Sequence, residues 1–175
     1  SWHLFGNLRR AARESGAWLD IVIDDARRTL IADVVAAAAH MCDAQRSARD
    51  IAAYYGPELP SQVGHRESLR AELSALGDAV DCGCSRSEIS ARLAVMSSPL
   101  LLVLGTERDS SAEWMRTGIA LQRLLLLTSG AGLCATVHPE IAEQPQWRDA
   151  VGALVFARGT PQLVLHFCPI TAPTA

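Results

Sequence analysis

The alternation of apolar and polar residues predicts helices and strands from the first residues onward. Apolar positions within residues 3–15 recur at helical spacing, which indicates an amphipathic helix that Gly16 ends. Alternation around residues 19–24 predicts a short strand, after which Asp24 or Asp25 caps a helix to about Met41. The residues expected on its inner face are Leu30, Ile31, Val34 and Val35. A further helical stretch is predicted around residues 46–55.

The second half of the chain carries the stronger pattern. Residues 100–104 form a continuous apolar run that ends at Gly105, which is typical of a strand buried on both faces. Ser110 and Glu113 have capping-box spacing and introduce a helix at about 112–129 that is apolar almost all round. Because such a helix must be enclosed by protein, we expect a buried central helix of the domain, of a dimer, or of both.

A glycine-rich break after this helix is followed by two further strands. Residues 133–137 are predicted to form a short strand, a His-Pro-Glu loop comes next, and a short helix ends at about residue 156. The last strand is predicted over residues 162–168. The pattern therefore predicts a single domain over residues 1–175. Its irregular excursion at about 56–88 is either a lid or dimer arm, or a solvated surface insertion.

Composition narrows the classes of function. The 175 residues carry a net charge of −3, which argues against a nucleic-acid binder. All 16 basic residues are arginine, so a Schiff-base lysine and a lysine-bearing phosphate loop are excluded. No apolar stretch is long enough to span a bilayer, so no membrane partner is expected. The five cysteines are an odd number and do not suggest a secreted disulfide framework, so the expected location is cytoplasmic.

Few side chains suggest metal or nucleophilic chemistry. Cys82 and Cys84 bring two thiols together, but no second Cys or His pair follows at zinc-site spacing, and we predict no metal site. His40, His65 and His166 each have a structural interpretation. Neither a nucleophile elbow nor a glycine-rich dinucleotide fingerprint is present, so a Rossmann-type nicotinamide site is not expected.

Arg116 and Arg123 are the charged positions within the apolar helix. Seven residues apart, they share one face of it. Burying two guanidinium groups is unfavourable unless acidic partners or a ligand anion meet them. One interpretation pairs Arg116 with Glu113 and lets Arg123 reach a neighbouring subunit. The other has one of the two arginines facing a bound anionic cofactor.

Four stretches of the chain carry a family resemblance. The segment SPLLLVLGTERDSSAEWMRTGIALQRLLLLTSGAGLCATVHPEI, followed by PQWRDAVG and GTPQLVLHF, resembles the C-terminal half of nitroreductase-family proteins. The likeness extends to the larger mycobacterial dormancy-associated nitroreductase-like family, in which one long chain holds two fused nitroreductase-like halves. The N-terminal segment WHLFGNLRRAARESGAWLDIVIDDARRTLIADVV is similar to the start of that second half.

The resemblance implies an α+β fold with a mixed, mainly antiparallel sheet flanked by helices. It also implies a homodimer, or a pairing with a nitroreductase-like partner chain, with FMN between the subunits. NAD(P)H would be the transient electron donor and a small organic molecule the acceptor. The loop from Thr136 to Glu140 matches the family segment whose backbone approaches the flavin ring edge. The expected cofactor-binding residues are therefore Thr136, Val137, His138, Glu140, Arg116 and Arg123.

The sequence departs from the family at the flavin phosphate. Ordinary members grip the phosphate with an Arg/Ser-rich motif and often with a late basic residue, and neither occurs here in the matching places. Pro139 also lacks an N–H to donate. Two functions stay open: an FMN-dependent oxidoreductase whose phosphate site comes from a partner, or a non-catalytic subunit that sequesters flavin or completes a partner's site. A helical interaction domain unrelated to flavin is a third alternative, and it predicts no buried sheet.

Overall fold

The computed structural model describes residues 2–48, 88–157 and 159–170. The predicted excursion at about 56–88 lies outside the described residues except for its last position, and so do Cys82, Cys84 and His65. The helical stretch predicted around residues 46–55 is described only as far as residue 48.

Six helices and four strands make up the described part of the chain. The helices are α1 (Trp2–Glu14), α2 (Asp25–Ala48), α3 (Glu88–Ser97), α4 (Ser111–Gly130), α5 (Glu140–Glu143) and α6 (Pro145–Gly152). The strands are β1 (Trp18–Ile21), β2 (Leu100–Thr106), β3 (Leu133–His138) and β4 (Thr160–Pro169). Within this part of the chain, no helix is long and apolar enough to cross a membrane.

The four strands form one sheet in the order β1-β2-β4-β3. Each of the three pairings is antiparallel. The predicted α+β class with a mainly antiparallel sheet is therefore confirmed. The alternative of a helical domain without a buried sheet is wrong.

Helices cover both faces of this sheet, and the central strand β2 is buried along its whole length. Leu100, Leu102 and Leu104 point into a core beneath α1 and α4. Leu101 and Val103 point into a second core beneath α2, α3, α5 and α6. Each fully buried leucine contributes on the order of 1.5–3 kcal/mol relative to exposure. The prediction of a strand buried on both faces is confirmed.

Local signals placed several helix ends correctly, although α2 continues to Ala48 instead of ending at about Met41. The Asp24 carboxylate accepts a hydrogen bond from the Arg27 backbone N–H at 2.8 Å, at the start of α2. The Ser110 hydroxyl accepts from the Glu113 backbone N–H at 3.4 Å and caps α4. Gly16, at φ +78°, follows α1 in the left-handed conformation that glycine tolerates best.

The strand β2 continues through Gly105 instead of stopping there. The indole N–H of Trp18 donates to the carbonyl of Thr106 at 3.0 Å, and its ring fills the space above Gly105. A Cβ at Gly105 would lie 2.1 Å from that ring. The glycine thus leaves room for an aromatic side chain. From the sequence pattern alone, this glycine was expected to end the strand.

Other expectations need correction. The helix α3 was not predicted, and the His-Pro-Glu loop contains the short helix α5. The helix expected to end at about residue 156 is α6, which ends at Gly152. Leu30, predicted to face inward, is 49% exposed, because Ile31 and Val35 at i and i+4 already define the buried side of α2.

The described part of the chain encloses the helix α4 on one side only. Its buried residues follow helical spacing toward the sheet and α1: Glu113, Thr117, Ala120, Leu124 and Thr128. Trp114, Met115, Ile119 and Leu126 are all at least half exposed on its outer side. The expectation that the domain itself buries this helix all round is therefore wrong for the outer side. Enclosure by a second subunit stays a prediction.

Candidate functional site

The segment expected at the flavin begins in the strand β3, at one edge of the sheet. Thr136 lies opposite His166, Val137 opposite Leu165, and His138 opposite Val164 of the strand β4. Among the described strands β3 pairs only with β4. Val137 packs on the core beneath α1 and α4. Because neighbours in a strand alternate, Thr136 and His138 face the other side of the sheet.

His138 is the centre of a buried polar chain. Its Nδ1 atom lies 2.9 Å from Oε1 of Glu140, and its Nε2 atom lies 2.8 Å from Nδ1 of His166. His138 is 5% exposed and His166 is 1% exposed. Glu140 opens the helix α5, so the chain of contacts ties the loop after β3 back to the strand β4.

The electrostatics keep one of these imidazoles neutral. Burial, and after it the charge on a protonated His138, lower the pKa of His166 to about 4. The Glu140 carboxylate lies at hydrogen-bond distance from the other ring nitrogen of His138. The single hydrogen bond between the two rings needs one donor and one acceptor. The arrangement therefore disfavours a positive charge on His166.

This geometry changes what His138 can do. Both of its ring nitrogens lie within hydrogen-bond distance of protein groups, so its side chain is not set to grip a cofactor. The side chain orients the loop, and the backbone of Thr136 to Glu140 remains the predicted cofactor contact. Sequence reasoning placed His138 at a loop and His166 in a strand. It missed their contact because that contact depends on the register of β3 against β4.

The two arginines of the predicted site lie on the other face of the sheet, on the helix α4. Arg116 forms an ion pair with Glu113 at 2.5 Å, which confirms the first interpretation of that residue. Arg123 donates to the Ser15 hydroxyl at 3.1 Å and approaches Glu14 at 3.9 Å, so within this chain its partners belong to the end of α1. Both side chains are about half exposed.

The six predicted residues are therefore not brought together by this chain. The arginines sit on the helix that covers one face of the sheet, whereas the side chains of His138 and Glu140 lie on the opposite face. The described residues fit only part of an FMN molecule. Backbone is present for a ring edge, but Arg116 and Arg123 already have partners and do not form a phosphate cradle.

An open groove lies near the start of α4. Its volume is about 560 Å³. The residues that line it are Asp109, Pro145, Arg148, Asp149, Gly152, Gly159, Thr160 and Pro161.

Asp109 accepts from the Trp114 indole at 2.7 Å and pairs with Arg148 at 2.6 Å. The Trp114 hydrogen bond, assisted by Arg148, lowers the pKa of Asp109, so this carboxylate is ionised above acidic pH. Sequence analysis had not singled out these residues, which come together from the loop before α4, from α6 and from the start of β4.

Comparison with known proteins gives two relatives of similar sequence. They are the uncharacterized proteins Rv3127 and MT3212 of two Mycobacterium tuberculosis strains, H37Rv and CDC 1551. Each is 32% identical to this chain over 179 residues, covering 94% of this chain and 49% of the relative. The chain thus spans about half the length of the curated relatives it matches. No protein-family model matches it.

The chain covers a larger share of two solved structures than of these two relatives. The FMN- and NADPH-dependent nitroreductase NfnB from a Sphingopyxis strain aligns with a TM-score of 0.55 at 20% identity, covering 95% of this chain and 78% of that one. NfnB from Mycobacterium smegmatis, solved with NADPH, aligns with a TM-score of 0.56 at 14% identity, covering 96% and 76%. These alignments, with the antiparallel sheet between two helical layers, show that the chain has the nitroreductase-like fold.

Proposed function

We propose that this chain is one nitroreductase-like half of an FMN-dependent oxidoreductase that passes electrons from NAD(P)H to a small organic acceptor. The second half is another copy of the chain or a nitroreductase-like partner, including the remainder of a longer protein. The observation that carries the proposal is the uncovered apolar side of α4, in a fold shared with FMN- and NADPH-dependent nitroreductases.

The outer side of α4 has the properties of a subunit interface. Met115, Ile119 and Leu126 are spaced by four and seven residues and so form one line along the helix, with exposures of 69%, 50% and 64%. Monomeric proteins rarely leave such contiguous apolar surface in water. Gly118 lies beside this line, and nothing stands within 4 Å of a Cβ added there. A second helix can therefore approach the backbone closely.

The division of the site between two halves accounts for the split residue set. The loop from Thr136 to Glu140 and the arginines of α4 lie on opposite faces of one sheet. A site between halves takes the ring-edge backbone from one half, and the phosphate grip, which the described residues of this chain do not form, from a partner. The Glu140–His138–His166 chain then holds the contributed loop in place without touching the flavin. When bound, FMN supplies the redox chemistry itself.

A second candidate function is a non-catalytic subunit that sequesters flavin or completes a partner's site. It is favoured by the contacts of Arg116 and Arg123, because both side chains already bind partners within this chain. Turnover separates the two candidates. The enzyme oxidises NADPH in the presence of FMN and a quinone or nitroaromatic acceptor, whereas the non-catalytic subunit binds flavin without sustained oxidation.

The test is a titration of the purified protein with FMN and, in parallel, with riboflavin, followed by flavin fluorescence. We expect saturable quenching by both, with tighter binding of FMN because the assembled site grips its phosphate. Equal affinity for the two flavins would mean that the site does not bind the FMN phosphate, contrary to this part of the proposal. Quenching by neither flavin would contradict a site formed by two copies of this chain and a subunit that sequesters flavin by itself.

A further inference from the structure

Two cysteines occupy directly opposite positions on the paired edge strands. Cys134 of β3 is the register partner of Cys168 of β4. Directly opposite residues of an antiparallel pair project to the same face of the sheet. Both residues are half-buried and are thiols in this structure. Neither belongs to the predicted cofactor site, and sequence analysis had treated them only as part of an odd cysteine count.

The ladder fixes the spacing of their backbones. The Ile170 N–H donates to the Gly132 carbonyl at 2.8 Å, one step beyond the end of the registered pairs. Hydrogen-bonded and non-hydrogen-bonded pairs alternate along an antiparallel ladder, so Cys134 and Cys168, two positions further in, form a hydrogen-bonded pair. Such pairs have Cα atoms about 5.5 Å apart. A disulfide requires about 4.4–6.8 Å.

We propose that Cys134 and Cys168 form a reversible two-cysteine redox site that closes to a disulfide by exchange with a low-molecular-weight disulfide. One thiol loses its proton and attacks the small disulfide, which yields a mixed disulfide and releases one small thiol. The second cysteine then attacks the cysteine sulfur of the mixed disulfide and releases the other small thiol. Two cysteine thiols are oxidised, and one small disulfide is reduced to two thiols.

The bond is expected to be labile rather than permanent. Opposite Cβ atoms in an antiparallel pair lie about 4.5–5.5 Å apart, at the upper end for a hydrogen-bonded pair. A disulfide needs about 3.8 Å. The strands must therefore draw together, which stores strain and favours reduction. Cys134 is the second residue of β3, just after Gly132 at φ +75°, so this adjustment falls at a strand end next to a glycine.

Closure would act on the same face of the sheet as the buried histidines. Along β4, Cys168 follows His166 by two residues, and along β3, Cys134 precedes Thr136 by two. A bond at this point fastens the start of β3, at the end of the strand away from His138. The inference stands on the strand register alone and does not require that the protein bind flavin.

The test uses the full chain equilibrated with mixtures of oxidised and reduced glutathione, then alkylated and digested with trypsin. Cleavage after Arg123, Arg148 and Arg158 places the two cysteines in separate peptides, residues 124–148 and the peptide that begins at Gly159. We expect a cross-linked species of these two peptides that is lighter than their sum by two hydrogen atoms. It should disappear on reduction.

Two variants control the assignment. Cys168→Ser should abolish the cross-link and leave Cys134 as a single glutathione adduct or an alkylated thiol. Cys42→Ser, which leaves the strand pair intact, should retain the cross-link. The inference is overturned if wild-type Cys134 and Cys168 are recovered only as separate adducts or alkylated thiols, or if either is joined instead to Cys42, Cys82 or Cys84.

Discussion

The Nε2 atom of His138 lies 2.8 Å from the Nδ1 atom of His166, and this contact joins the edge strand β3 to its neighbour β4 within the protein interior. Glu140 meets the opposite nitrogen of His138 at 2.9 Å. Because the three groups connect the loop after β3 to the core of the sheet, their protonation and their removal have measurable consequences for stability.

Acidification is expected to destabilise the fold through His166. Its pKa is about 4 in the folded protein, against 6.5 for the ordinary side chain. Between these values the unfolded chain binds more protons, so stability is fully present above pH 6.5 and falls progressively toward pH 4. The loss amounts to roughly 3 kcal/mol at most, since one unit of pKa corresponds to about 1.4 kcal/mol.

Denaturant unfolding of the wild type and of His166→Asn at a series of pH values measures this effect. The asparagine amide can still donate to His138 but does not titrate. We expect the variant to be less stable near neutral pH and to lose less stability on acidification. An equal loss in the two proteins over this pH range would contradict the assignment to His166.

Truncation of Glu140 is expected to destabilise the protein, because the loop after β3 is held by the contact of this carboxylate with His138. Glu140→Ala leaves a buried His138 nitrogen without this partner, which costs about 1–3 kcal/mol of unfolding free energy. Glu140→Gln should lose less, because its amide oxygen can accept from the imidazole. The control is Glu143→Ala on the same short helix, at an exposed position. If both alanine variants unfold at the same denaturant concentration, the role given to Glu140 is wrong.

Gly159 is expected to tolerate no side chain. It adopts φ +119°, and a Cβ there would lie 2.3 Å from the Thr106 carbonyl oxygen. Gly159→Ala should therefore destabilise the protein by on the order of 1–3 kcal/mol or more, from backbone strain and the clash together. Gly6→Ala, inside α1 with nothing within 4 Å, should stabilise it by roughly 0.5–1 kcal/mol. Thermal unfolding of the two variants distinguishes the signs, and a stabilised Gly159→Ala would contradict the local geometry.

A charge on the outer side of α4 is expected to disrupt assembly without unfolding the chain. Leu126→Glu places a carboxylate at a position that is 64% exposed in the single chain and apolar in the proposed interface. The matched control is Leu93→Glu on α3, at a position 58% exposed. Light scattering should give a lower assembled fraction for Leu126→Glu alone. Equal assembly in both variants would place the interface elsewhere.

Much of the fold could be predicted from patterns that depend only on residues close together in the sequence. The run at residues 100–104, the cap at Ser110 and the turn at Gly16 each depend on neighbours in the chain, and each matches the structure. Gly105 did not follow the expected pattern, because the reason for a glycine there is Trp18, which comes from a different strand.

Less of the candidate site could be predicted from the sequence. That Arg116 pairs with Glu113 follows from helix spacing and was one of the predicted interpretations. The contact between His138 and His166, and the pairing of Cys134 with Cys168, depend on the register of two strands separated by a loop and two helices. A single sequence gives the strands but not their register. The exposure of the outer side of α4 depends on which of the described elements pack against the helix, and a single sequence does not show this.

In the proposed assembly, a flavin lies between two nitroreductase-like halves that meet on α4. Sedimentation velocity of the purified protein with added FMN, recorded in the protein band and in the visible band of oxidised flavin, tests it in one run. We predict that visible absorbance moves with a two-lobed species, either two copies of this chain or one longer chain that holds two such halves. Flavin that stays behind the protein boundary, or that moves with a single isolated half, would contradict it.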